Sequence, residues 1–372
     1  MGEYRGILQR GEGVPDGVAY LPAEPGSQFW GRLPARGDAP VLVIDAGATV
    51  TIDTVSHEGI LEDQGRDPVS YFGAHGVPRS DVLGDAIELA ASRHPRDAAN
   101  DGPHVVTGPI HVRGAMPGDL LKLTVVDLAP RVPYGVISNR HGRGALPGEM
   151  PAGDRNVSVF TPIELDVASG EWVGMLPVVE GGEHVVRFPL APFLGVMGVA
   201  VDRDERPHSV PPGAHGGNID VNLLVEGSAL YLPVQVPGAL AYIGDPHFAQ
   251  GAGEVALTAL EGSLRATIRF DVVPASVALA EFGPLDGPLG ETADHLIPTG
   301  MDPDLDVAVQ RCVRQAIALL GARYGMEAQL AYAYLSAATD FEISQVVDLV
   351  KGSHARIRKA DFRSVDRSGR AG

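Results

Sequence analysis

The chain has 372 residues and a mass of 39.0 kDa, enough to bury a large core in one β-rich unit or in two to three packed domains. Hydrophobic residues make up 44% and mean hydropathy is +0.05, which excludes wholesale disorder, and no apolar run approaches the roughly 20 residues of a membrane span. Forty-seven acids against 29 bases give a formal net charge of -18, a field that opposes phosphate backbones and anionic lipid, so neither nucleic acid nor a membrane is expected as a partner. Cys312 is the sole cysteine, and the opening MGEYRG lacks the basic-then-apolar order of a secretory signal, so the expected location is the cytoplasm.

Forty-seven glycines and 30 prolines are spread along the whole length and cut it into short segments joined by tight turns. That pattern favours β structure. In chain order, residues 41–44, 50–54, 120–128, 157–167, 230–236, 255–261 and 264–273 carry β-branched residues between turn signals and read as strands. Between them, the Pro/Gly-rich stretch 143–154 reads as a loop over a site or a link between domains. Helices are expected near the end: Asp302-Pro303 supplies an N-cap and a first-turn proline for 305–320, with Gly321 as the stop, followed by 327–338 and 341–350. The tail after Lys351 turns basic and polar and is expected to fray. The reading is mainly β, with a β-rich part over 1–150, a β-rich part carrying the main loops over 151–300, and a helical part over 301–372. No fixed-period repeat supports a propeller or solenoid.

Candidate chemistry concentrates in residues 189–261. The loop PPGAHGGNID at 211–220 sets His215, Asn218 and Asp220 around paired glycines, which let backbone approach a ligand closely. His215 can ligate a metal or move a proton, and Asp220 can ligate or orient a neighbouring histidine; a polar hairpin whose Asn and Asp bond their own backbone is the bland alternative. One strand later, Asp245, His247, Gln250 and Glu254 share a second glycine-punctuated segment. Asp245 and His247, two apart, project to the same side if the chain is locally extended. Asp53, His57 and Glu58 end an early strand, a good place to present ligands. The run 138–149 combines Asn139, His141, two arginines and Glu149 in a loop able to cover a substrate. His104 and His111 are read as structural.

Taken together, APFLGVMGVA, PPGAHGGNID, LYLPV, GALAYIGDPHFAQGAGEVALTALE and AYAYLSAATDFEISQVVD, with VTGPIHVRGAMPGDLLKL before them, resemble the acetamidase/formamidase family over roughly residues 100–350. The resemblance implies hydrolysis of small amides to carboxylate and ammonia on a jelly-roll-like β-sandwich with a smaller α/β part at the carboxyl end. The chain departs from the family pattern at Pro246 and Ala252, which puts the exact substrate in doubt.

Amide hydrolysis needs a strong nucleophile, a stabilised tetrahedral oxyanion and a proton for the leaving nitrogen. A divalent metal, zinc being the first candidate, would lower the pKa of bound water toward ~7. The expected ligands are His215, Asp220 and His247, with His57 as a further one. Glu254 is expected to move the proton, with Asp245 and Glu149 as other catalytic candidates, and Asn218, Gln250 and His141 to bind substrate. Cys312 falls in the expected helix and is no nucleophile, and there is no G-x-S-x-G elbow. A homo-oligomer is expected. Two alternatives stand beside this reading: ring opening of a cyclic amide or lactam, and a noncatalytic metal- or small-molecule-binding protein.

Overall fold

The structure, a computed structural model, describes residues 6–14 and 16–365; residues 366–372 of the expected fraying tail, and all but the glycine of the opening MGEYRG, lie outside it. The mainly β reading holds. A nine-stranded sheet runs in the order 19–21, 49–53, 264–273, 120–130, 229–233, 289–291, 295–302, 351–358 and 340–345. An eleven-stranded sheet is built around Ala241–Ala249, which pairs antiparallel with Phe193–Gly198 along one side and with Val105–Arg113 and Leu260–Glu261 along the other. Alternation explains the long central strands: Leu121, Leu123 and Val125 of Leu120–Pro130 are fully buried while Lys122 and Thr124 between them are half-buried.

The apolar clusters do not follow chain order. The largest packs Trp30, Ile52 and Val112 against Met197, Leu232 and Ile268, so residues from the first 150 and from the next 150 share one interior. A second gathers Leu120 and Tyr231 with Phe282, Leu319 and Leu335 under the C-terminal helices. Burying a leucine-sized side chain is worth about 1.5–3 kcal/mol, and shared interiors of this extent hold the chain segments together.

Several expectations change in detail. The helix Leu305–Tyr324 is capped by Asp304, whose side chain accepts from the amides of Asp306 and Val307, and it runs through Gly321 to a left-handed Gly325. A glycine inside a helix costs only about 1 kcal/mol, less than the packing of Tyr324 offsets. Residues 341–350 are not helical: Asp340–Gln345 is a strand paired with Lys351–Arg358. The chain after Lys351 is likewise ordered as the strand Lys351–Arg358, which also pairs with His295–Asp302 and buries His354, Ala355 and Ile357. Of the stretch 255–261 only Leu260–Glu261 is a strand. No helix among the described residues is long and apolar enough to cross a membrane.

Candidate active site

The large sheet gathers its acids and histidines at one place. Asp245 and His247 lie two residues apart on the buried strand Ala241–Ala249, and His247 Nε2 sits 3.1 Å from Asp245 Oδ2 and 3.1 Å from Glu261 Oε1. Asp220, just past the strand Gly216–Asn218, brings Oδ1 to 3.9 Å from His247 Nδ1. His57 arrives from the segment after the strand Thr49–Asp53, held by Thr54 Oγ1 donating to the Leu264 carbonyl at 2.7 Å and by the Ser56 amide donating to Ser263 Oγ at 3.0 Å. Its Nδ1 is 3.3 Å from Asp245 Oδ1 and its Nε2 is 3.4 Å from Glu58 Oε1.

Three of these acids depart from ordinary backbone: Asp220, Asp245 and Glu254 have φ of +48°, +50° and +46°. Left-handed backbone at a residue other than glycine costs of order 1–3 kcal/mol and persists only where surrounding structure over-determines it. Here it turns all three carboxylates onto one spot. Gly195 makes room for them, because a Cβ there would stand 2.5 Å from Asp220 Oδ1, 2.6 Å from His247 Cε1 and 2.8 Å from Asp245 Oδ2.

Electrostatics mark the same spot. Burial pushes Asp220 and Glu254 well above the ordinary carboxylate range, with Glu254 and Asp348 adding to the effect at Asp220, and Asp348 and Glu261 adding to it at Glu254. Burial also raises Glu261, and it raises Asp348, beside Asp245 and Glu261, to about 8. Asp245 moves the other way: burial opposes its charge, yet His104, His247 and His57 around it hold it well below the usual range. Burial works against a charged His57, but contact with Asp245 and Glu58 lifts it to about 10. Glu58 stays ionised against its burial, at about 2, through Arg140, His57 and Ser138. His247 is raised well above its ordinary value by Glu261 and Asp245, which outweigh burial.

A cavity of about 750 Å³ opens onto this floor, reaching His57, His104, Asn218, Asp245, Glu254, Glu261 and Asp348. Asp348 comes from the turn between the two last strands, shaped by Gln345, whose Oε1 accepts from the Val347 and Asp348 amides at 3.0 and 3.1 Å. That turn is sewn to the Glu254 loop by Gly253 N donating to the Ser344 carbonyl and Val346 N donating to the Gly253 carbonyl, at 3.0 and 3.1 Å.

The residues singled out in the sequence divide accordingly. Asp220, Asp245, His247, Glu254 and His57 converge, and Asn218 joins them, fully buried on the cavity wall with Oδ1 unpartnered. Gln250 serves the backbone, with Nε2 donating to the Asp220 and Ser344 carbonyls at 3.0 and 3.2 Å. His141 is exposed at the cavity mouth, whereas Glu149 is exposed and does not line it. His215 is buried between Gly213 and Gly217, outside both groups of converging donors, and burial lowers it to about 4. Glu58, named in the sequence beside His57, also joins the site, and so does His104, which the sequence reads as structural, whereas Glu261 and Asp348 are not among the sequence candidates. Those two could have been found, since Glu261 and Asp348 close the motifs GALAYIGDPHFAQGAGEVALTALE and AYAYLSAATDFEISQVVD.

The donors fit a cation. His57, Asp245 and Glu261 form one group whose ligand atoms lie within 4.8 Å of one another, and Asp220, His247 and Glu254 form a second. Both oxygens of Asp220, His247 Nδ1 and Glu261 Oε2 are buried without a hydrogen-bond partner, and the ring nitrogens of His57 meet only the carboxylates of Asp245 and Glu58, at 3.3 and 3.4 Å. Buried polar atoms normally have one, and the upward push on four carboxyls is the mark of negative charge that protons or a cation must offset.

Residues 202–355 match the Acetamidase/Formamidase family. The sequence resemblance to acetamidase/formamidase motifs therefore holds over the segment carrying Asn218, Asp220, Asp245, His247, Glu254, Glu261 and Asp348. An acetamidase from Mycolicibacterium smegmatis is 27% identical over 43% of this chain and 52% of its own length, and a formamidase from Methylophilus methylotrophus is 27% identical over 43% and 50%. The chain thus spans about half the length of these acetamidase/formamidase relatives. Two solved acetamidase structures, from Bacillus halodurans and Yersinia enterocolitica, superpose with a TM-score of 0.72 at 24% identity, covering 93% and 95% of this chain and 99% and 96% of theirs. At that identity the likeness is one of fold.

Proposed function

We propose that the chain hydrolyses the C–N bond of a linear amide to a carboxylate and ammonia. The observation that carries this reading is the convergence of His57, Asp245, Glu254 and Glu261 on the floor of one cavity, with Asp220 and His247 grouped with Glu254, and the names of the acetamidase and formamidase relatives support it.

The two donor groups would hold a divalent metal, zinc first among the candidates for mixed imidazole and carboxylate ligands. When bound, such an ion supplies a polarised carbonyl and an acidified water. The chain's own residues do the rest. Asn218 Oδ1, buried and unpartnered on the cavity wall, accepts a hydrogen bond from the substrate amide N–H and sets the carbonyl toward the acids. Glu254 borders both the cavity and the Asp220–His247 pair, where its carboxyl can carry a proton to the leaving nitrogen, a service typically worth ~10²–10⁴-fold. Arg140 holds Glu58 at 3.0 Å, and Glu58 in turn fixes the His57 ring.

The test is ammonia release from formamide, acetamide and longer linear amides by metal-stripped and metal-restored protein. Release that returns only with metal is the expected result. Full activity in protein shown by elemental analysis to be metal-free removes the metal from the proposal, and opening of a lactam with no release from any linear amide transfers the activity to cyclic substrates.

A further inference from the structure

The cavity of about 750 Å³ is far larger than formamide or acetamide requires, and its mouth has a charge pattern at odds with the chain's net charge of -18. The acids at the mouth are each engaged by an arginine: Glu62 by Arg96 at 2.5 Å, Asp63 by Arg140 at 2.8 Å and Asp101 by Arg32 at 2.6 Å. Two cations lining the same cavity, Arg143 and Lys351, have no carboxylate in ion-pair contact among the described residues; Lys351 only donates to the Pro303 carbonyl at 2.8 Å. Arg143 and Lys351 are therefore the cations of this lining that no carboxylate of the described residues already holds.

The backbone turn that carries Arg143 is held in place, and its exposed side chain lines the cavity. The Ala145 amide donates to the Val255 carbonyl at 2.8 Å and the Arg143 amide to the Arg140 carbonyl at 3.0 Å. A Cβ on Gly144 would stand 2.7 Å from Asn139 Nδ2, so the turn sits tightly against the wall beneath it. Arg143 and His208 line the same cavity.

We infer that the preferred substrate is an amide whose acyl chain ends in an anionic group, with the scissile amide at the acidic floor and the anion at Arg143, assisted by Lys351. This rests on the amide-hydrolase reading and names the substrate class of that site. A guanidinium offers paired donors to a carboxylate, and a lysine supplies a point charge beside it. An aqueous anion loses least where it meets cations that no carboxylate already holds.

The experiment pairs glutaramate, the monoamide of a five-carbon dicarboxylate, with pentanamide, its neutral counterpart of similar length. Binding to the metal-restored protein is measured by calorimetry and ammonia release is measured separately. Wild type should bind glutaramate about tenfold or more tightly than pentanamide, Arg143→Gln should erase most of that ratio, and Arg143→Lys should restore part of it. Equal affinity for the two amides in wild type, or a ratio untouched by Arg143→Gln, overturns the inference. Selective, Arg143-dependent binding without ammonia release sustains the anion site while removing the hydrolytic reading, so the two fail separately.

Discussion

His57 Nδ1 stands 3.3 Å from Asp245 Oδ1, although one residue follows an early strand and the other lies on the buried strand of residues 241–249. His57 falls outside the family-matched segment 202–355, so that segment alone does not hold the whole constellation. Replacing His57 by Asn keeps a planar polar side chain and removes the imidazole. The expected result is a loss of at least about 10²-fold in kcat together with reduced metal content by elemental analysis; retention of both would make His57 a structural residue.

Gly195 supplies a sharper probe, since it adds bulk to the site without deleting a functional group. The added methyl of Gly195→Ala would fall within 2.5–2.8 Å of Asp220, His247 and Asp245, and overpacking of this kind costs typically about 1–3 kcal/mol. Activity and metal binding should fall by more than about tenfold while the circular dichroism spectrum stays native. An active Gly195→Ala protein would show that the three side chains can spread apart with little penalty.

Glu254→Gln tests the proton carrier. A fall in kcat of about 10²-fold or more with metal content retained is the outcome expected for proton transfer. Loss of metal along with activity would make Glu254 a ligand beside Asp220 and His247, a role its position among their donor atoms also permits.

Much of this could be read from the sequence, and the exceptions are instructive. The strand 264–273 and the site acids 220, 245 and 254 were legible because alternation and glycine punctuation are local. The segment 341–350 was misread as helical because its apolar residues suit either period over so short a run, and only pairing with 351–358 decides it. His215 looked as good a ligand as His57 since nothing local reports distance; the fold turns His215 against Gly217 and carries His57 across to Asp245. Glu261 and Asp348 have no neighbouring histidine in sequence, and their only signal is that each closes a motif of the family resemblance.

Cys312 should be chemically silent. The thiol is fully buried and donates to the Pro298 carbonyl at 3.2 Å, and burial raises it to about 12. At pH 8 that leaves roughly one part in 10⁴ as thiolate, so the native protein should resist alkylation for hours and keep its activity. Reaction should begin only once denaturant unfolds the chain; rapid native labelling coupled to inactivation would return the cysteine to consideration.

Stability has its own buried charge. Arg131 is fully buried with Nη1 2.7 Å from Asp85 and Nη2 3.4 Å from Asp53, and Asp53 also meets Arg265 at 2.6 Å. Arg131→Met removes the cation and strands Asp85, which should cost about 3–5 kcal/mol, read as a lowered midpoint in urea. Arg131→Met with Asp85→Leu should recover part of that loss; additive losses would mean the two side chains act independently.

The stitching of Gly253 to Ser344 and Val346 has a consequence for the order of events during synthesis. Residues 220, 245, 254 and 261 leave the ribosome before the hairpin that bears Asp348, and until that hairpin docks Gly253 lacks its Ser344 and Val346 partners. A chain stalled before residue 344 would carry residues 220, 245, 254 and 261 but lack Asp348 and the backbone partners of Gly253.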